Sequence, residues 1–163
     1  MSDQVFNGCD FSGELKLPKK LRTIGNNAFG SLNYGSNWRL MGVLEIPEDV
    51  QSIGEGAFYG CRSIEGLVFP EALENIQSQA FYMCTGIGSI VCKGTIPAHL
   101  QTGAFDGVAK DNFTLEVPES YVAQYQAEPG WSDFKRIAGT PGVGMPPSVG
   151  YRHQYAVYTH VGD

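Results

Sequence analysis

Ile53–Cys61 reads IGEGAFYGC, and the flanking chain repeats it loosely as IGNNAFG from Ile24 and IQSQAFYMC from Ile76. A catalytic cluster is needed once, whereas a cluster that returns performs the same structural task at each visit. Phe6, Phe29, Phe58, Phe81 and Phe105 are separated by 23, 29, 23 and 24 positions. The long interval contains GSLNYGSNWRLMG, Gly30–Gly42, a polar glycine-rich insertion, and looping it out restores the period. Three other positions keep phase with these rings. Pro18, Pro47 and Pro70 precede Phe by 11; Ile24, Ile53 and Ile76 precede it by five; Cys9, Cys61 and Cys84 follow it by three. Such a period is too short for two full helices and fits one coil of a solenoid.

Each coil is expected to open with a short strand: ELKL at Glu14–Leu17, VLEI at Val43–Ile46, GLVF at Gly66–Phe69, SIVC at Ser89–Cys92 and FTLEV at Phe113–Val117. Strand alternation turns Leu15, Leu17, Leu44 and Ile46 inward and Lys16 and Glu45 outward. A proline after several of these strands offers no amide, so it ends the ladder and turns the chain. Leu21, Val50 and Leu73, then the Ile and Phe positions, bring the chain back through the interior. Ala beside Phe allows close packing. Gly25, Gly54, Gly60 and Gly103 suit tight turns or close backbone approach, and Cys at Phe plus three acts as a small hydrophobe rather than half of a Cys61–Cys84 disulfide. The predicted fold is a right-handed solenoid with short parallel strands on one face and an irregular or short-helical opposite face.

The period loses regularity after Phe105. In VPESYVAQYQAEPGWSDF, Val117–Phe134, Pro118 and Ser120 suit a helix start, and Tyr121, Val122 and Tyr125 can share one face. Pro129-Gly130 then ends the helix. A terminal coil would otherwise expose its apolar side and an open strand edge, so this segment reads as a helical cap with Trp131 and Phe134 as plugs. The expected organisation is a solenoid over 1–138, capped from about 115, and then a Gly/Pro-rich linker and Tyr-rich tail over 139–163.

The bulk composition excludes several classes. With 11 basic and 17 acidic residues the formal net charge is −6, which gives the chain no general attraction to nucleic acid or anionic membranes. KLPKKLR, Lys16–Arg22, is the one basic run, and it reads as the rim of a folded face. No apolar run reaches the length of a membrane span. MSDQVFNGCD lacks the basic start and apolar core of a secretory signal, and a processed chain would read the same.

With these motifs in place, LEIPEDVQSIGEGAFYGCRSIEG (Leu44–Gly66) and LVFPEALENIQSQAFYMCTGIGS (Leu67–Ser89) resemble repeats of the bacterial surface-antigen type of leucine-rich repeat protein. The likeness continues through IVCKGTIPAHLQTGAF (Ile90–Phe105) and LEVPESYVAQYQAEPGWSDF (Leu115–Phe134). Departures are Gln77 at the place of Gly25 and Gly54, Met83 at the place of Gly60, and the Gly30–Gly42 insertion. The chain also begins in a Phe-x-x-Cys half-repeat, as a fragment of a larger protein would. The resemblance implies a secreted or cell-surface location, a role in adhesion, and no active site to carry across.

Catalytic and ligand-binding signatures are sparse. His99, His153 and His160 lack a zinc-ligand spacing. Cys92-Lys93 has no partnered His close in sequence. Glu48, Asp49 and Glu55 read as turn residues rather than the facing pair of a glycosidase, and no phosphate-binding glycine motif occurs. The expectation is therefore a non-catalytic module without cofactors, binding an extracellular protein or glycan. Alternatives are a rigid spacer or capping segment and, behind it, a small hydrolase built from the insertion and tail. The expected partner surface is the outward phase of the strands at Lys16, Glu45, Val68, Val91 and Glu116. Tyr34 and Trp38 of the insertion would add contacts, or else fold back over the coil. The tail could support weak self-association.

Overall fold

The computed structural model describes residues 1–3, 12–30 and 39–143. Phe6, Cys9, Tyr34, Trp38 and the tail with His153 and His160 lie outside the described residues. The chain winds as a right-handed solenoid whose strands all pair in parallel. Its strands are β1 Ser12–Gly13, β2 Thr23–Ile24, β3 Arg39–Leu40, β4 Gly42–Glu45, β5 Ser52–Ile53 and β6 Ile64–Phe69. They continue with β7 Asn75–Ile76, β8 Ile90–Cys92, β9 His99–Leu100, β10 Leu115–Pro118 and β11 Ile137–Thr140. The longer strands form one five-stranded sheet in the order β11-β10-β8-β6-β4.

The return path, expected as irregular or short helical, carries a second ladder of two-residue strands in the order β2-β5-β7-β9. Its register puts Ile24, Ile53, Ile76 and Leu100 in one inward row and Thr23, Ser52, Asn75 and His99 in one outward row. The interval of 23 or 24 residues thus brings equivalent residues of successive coils into direct register.

Each coil bends at repeated i to i+3 turns, which explains why Pro, Gly and Phe keep phase. The Leu21, Val50 and Leu73 amides donate to the carbonyls of Pro18, Pro47 and Pro70. The next bend closes from Ala28, Ala57, Ala80 and Ala104 onto Gly25, Gly54, Gln77 and Gln101. The last closes from Cys61, Cys84 and Val108 onto Phe58, Phe81 and Phe105. Two positions around each ring take left-handed backbone: Asn27, Gly56, Gln79 and Gly103 before it, and Gly60, Met83 and Gly107 after it. Met83 therefore keeps, at φ 56°, the conformation its glycine counterpart Gly60 takes at 74°. Gly25 and Gly54 serve a different purpose: a Cβ on Gly54 would sit 2.6 Å from the Asn26 amide of the preceding coil.

Inside the coils the phenylalanines form a continuous stack. Phe29–Phe58, Phe58–Phe81 and Phe81–Phe105 have ring centroids 5.2, 5.2 and 5.4 Å apart and planes within 8° of parallel. The parallel ladders dictate this arrangement by placing equivalent side chains about one strand spacing apart. Cys61 and Cys84 are free and buried, but they act as more than small hydrophobes. Cys84 Sγ lies 3.1 Å from the Phe58 carbonyl of the preceding coil and Cys61 Sγ 3.7 Å from that of Phe29, both as weak donors. Burial without a cationic partner pushes the Cys61 thiol up to about 12 and raises that of Cys84 as well.

A 3-10 turn at Glu119–Tyr121, helix α1 at Val122–Ala127 and a second 3-10 turn at Trp131–Asp133 close the C-terminal end. Trp131 packs 5.6 Å from Phe105 and donates its indole N–H to the Ala98 carbonyl at 2.7 Å, so the plug satisfies its one polar atom. Phe134 meets Phe105 edge-on at 5.8 Å, and the Tyr125 hydroxyl donates to the Gly94 carbonyl at 2.9 Å. Beyond the cap, β11 pairs with β10 from Leu115↔Ile137 to Pro118↔Thr140, so Gly139 and Thr140 belong to the sheet.

One strand expectation requires correction. Glu14–Leu17 alternates exposed and half-buried residues but forms no strand, so Lys16 stands outside the ladder. The pairing at this end is between β1 and β3, through Ser12↔Arg39 and Gly13↔Leu40. Gly13 and Gly42 take φ values of 108° and 81°, and the β4–β6 register shifts between Gly42 and Val43, so the backbone is irregular where the two pairings meet.

Candidate functional site

The outward face of the five-stranded sheet is built by strand alternation alone. Leu44, Leu67, Ile90, Leu115 and Ile137 share the inward rung, and the next residue of each strand points out. Register then sets Glu45 beside Val68, Val68 beside Val91, Val91 beside Glu116, and Glu116 beside Ala138. At ordinary strand spacing this rung extends roughly 19 Å. Four of the expected surface residues are thus brought together, while Lys16 is exposed but belongs to no paired strand, and Tyr34 and Trp38 lie outside the described residues.

A second outward rung contains Val43 and Gly66. A Cβ on Gly66 would come 2.3 Å from Ser89 Oγ and 3.3 Å from Val43 Cγ2, so neighbouring side chains level the face at that point. Val43 remains 49% exposed. The middle of the face is therefore flat and aliphatic, and its charges lie to either side. Lys93 bridges Glu48 at 2.8 Å and approaches Glu45 at 4.0 Å, while Thr140 Oγ1 donates to Glu116 Oε2 at 3.2 Å. These partly exposed pairs add little stability, and they fix the side-chain directions around the aliphatic centre.

Sequence reading noticed Lys93 only as a neighbour of Cys92, because its salt-bridge partners are 45 and 48 residues away. Cys92 itself is buried and its thiol raised by burial, so the pair is not a nucleophile and its activator. Among the described residues, no group of three or more His, Cys, Asp or Glu is placed to hold a metal ion. No described helix is long and apolar enough to cross a membrane.

The register of the coils accords with the sequence comparisons. Residues 34–122, more than half of the chain, match the family described as a BspA type leucine rich repeat region (6 copies). The chain belongs to the BspA-type leucine-rich-repeat family. No curated protein matches it. Fold and family are those of a non-catalytic binding scaffold, in which stacked coils hold a row of outward side chains at fixed spacing.

Proposed function

We propose that this chain is a non-catalytic adhesion or binding module of a secreted or cell-surface protein, and that it engages an extracellular protein or glycan through the outward face of the five-stranded sheet. The in-register rung Glu45, Val68, Val91 and Glu116 carries this reading. It offers a flat aliphatic strip with charge at both ends, on strands held rigid by a fully packed core. Rigid presentation limits the ordering cost of association. A screen of the intact chain against extracellular-matrix proteins, bacterial surface proteins and glycans tests it. A partner should bind saturably and weaken by about tenfold or more in Val68→Glu/Val91→Glu, with melting temperature retained. Binding that ignores this variant would move the site off the strand face.

The spacer reading has one observation in its favour. The ring stack runs without a break from Phe29 to Phe105 and is closed by Trp131. Failure of the screen with every partner class would favour that role.

A further inference from the structure

Beside the aliphatic strip, Arg39, Met41, Arg62, Ser63, Glu65 and Gly86 line an open depression of about 430 Å³. Arg39 reaches it from the outward phase of β3, and Arg62 from the turn that leads into β6. A Cβ on Gly86 would lie 2.3 Å from the Arg62 carbonyl and 3.0 Å from that of Ile64, so backbone closes this side. Neither arginine has a carboxylate partner within ion-pair distance among the described residues. The insertion that runs up to Arg39 supplies none, since Gly30–Gly42 contains no Asp or Glu. Two guanidiniums with no ion-pair partner among the described residues thus border one depression, in a chain with a net charge of −6.

We propose that this depression is a carboxylate-binding site that seats an acidic side chain of a partner peptide, with the peptide's neighbouring apolar residue on Met41 and Val43. The guanidiniums provide paired planar donors suited to a carboxylate. Glu65 lines the same space and opposes a dianion, so a single carboxylate suits the site better than phosphate. Met41, in the lining, and Val43, two residues along the chain, are 53% and 49% exposed, and they offer a flexible thioether and an aliphatic surface. That rim favours a peptide over an acidic sugar, whose hydroxyls would find few partners there. The inference deepens the binding-module reading by naming the partner's chemistry, and rests on it.

Amide chemical-shift titration of the intact chain tests it with a blocked hexapeptide alternating glutamate and leucine, its glutamine analogue, inorganic phosphate and sialyllactose. The glutamate peptide should shift Ser63, Glu65 and Gly86 saturably and bind about tenfold more tightly than the glutamine peptide. Arg39→Gln/Arg62→Gln should abolish the response. Arg39→Lys/Arg62→Lys should retain part of it, and Arg22→Gln, just before the other ladder's β2, should leave it intact. Equal binding of the two peptides, shifts confined to another face, or no saturable shift would overturn the site. Tighter binding of phosphate or sialyllactose at the same amides would overturn the peptide assignment. Because these probes need no natural partner, a negative result here leaves the screen of the strand face to be judged separately.

Discussion

Phe81 lies at the centre of the stack, and its removal measures how far the coils depend on one another. Its ring is fully buried, lies face to face with Phe58 at 5.2 Å and Phe105 at 5.4 Å, and meets Phe69 edge-on at 5.7 Å. Phe81→Ala should cost about 3–5 kcal/mol, combining lost transfer energy with an incompletely collapsed cavity. Phe81→Leu retains most of the apolar volume and loses the ring pairs, each worth about 0.5–1.5 kcal/mol, so it should cost about half as much. The site should collapse poorly because the backbone on either side is tied to its neighbours. The Phe81 amide donates to Ala104 and that of Phe58 to Ala80. Guanidinium denaturation followed by circular dichroism and by tryptophan fluorescence would give both values, with Lys16→Ala as an exposed reference. A Phe81→Ala cost below about 1.5 kcal/mol, or a Phe81→Leu cost equal to it, would refute the stacked-core account.

Other outcomes follow from particular positions. Gly56→Ala should destabilise by about 1–2 kcal/mol, since φ is 59° and the Asn27 side chain, whose Oδ1 would lie 2.4 Å from the new Cβ, must also move. Gln79→Gly, at φ 56° on an exposed residue, should leave the melting temperature unchanged or higher. Cys61, Cys84 and Cys92 should resist a thiol reagent until the protein unfolds, because burial raises all three thiols. Their folded pKa values exceed the unfolded value of about 8.5, so the stability they contribute is complete below that pH. It should fall as pH rises toward about 12, the folded value for Cys61, and denaturation across that range would check the direction. Trp131→Ala should cost about 3–5 kcal/mol and promote association, which light scattering would detect, by uncovering Phe105 and leaving the Ala98 carbonyl without its indole donor.

The sequence by itself determined the coil and its phase. Pro, Ile, Phe and Cys recur because each coil fills an identical slice, and identical slices select the same residue types at the same intervals. Alternation likewise determined that Glu45, Val68, Val91 and Glu116 point outward, since strand geometry leaves no other direction beside buried neighbours. The aromatic residues beyond Phe105 announced a cap because an unfinished stack needs a cover. Only the tertiary structure decided the second ladder, whose two-residue strands are too short to carry a period. It also decided the backbone at Gln79 and Met83. Neither residue favours positive φ, but their amides must meet Thr102 and Asp106 of the next coil. Glu14–Leu17 has the alternation of a strand but not its pairing, which depends on a neighbouring coil and not on the local pattern. Arg39 and Arg62, 23 residues apart, line one depression only because successive coils lie in register. Side-chain period is a local property written along the chain, whereas proximity between coils arises when the ladders close.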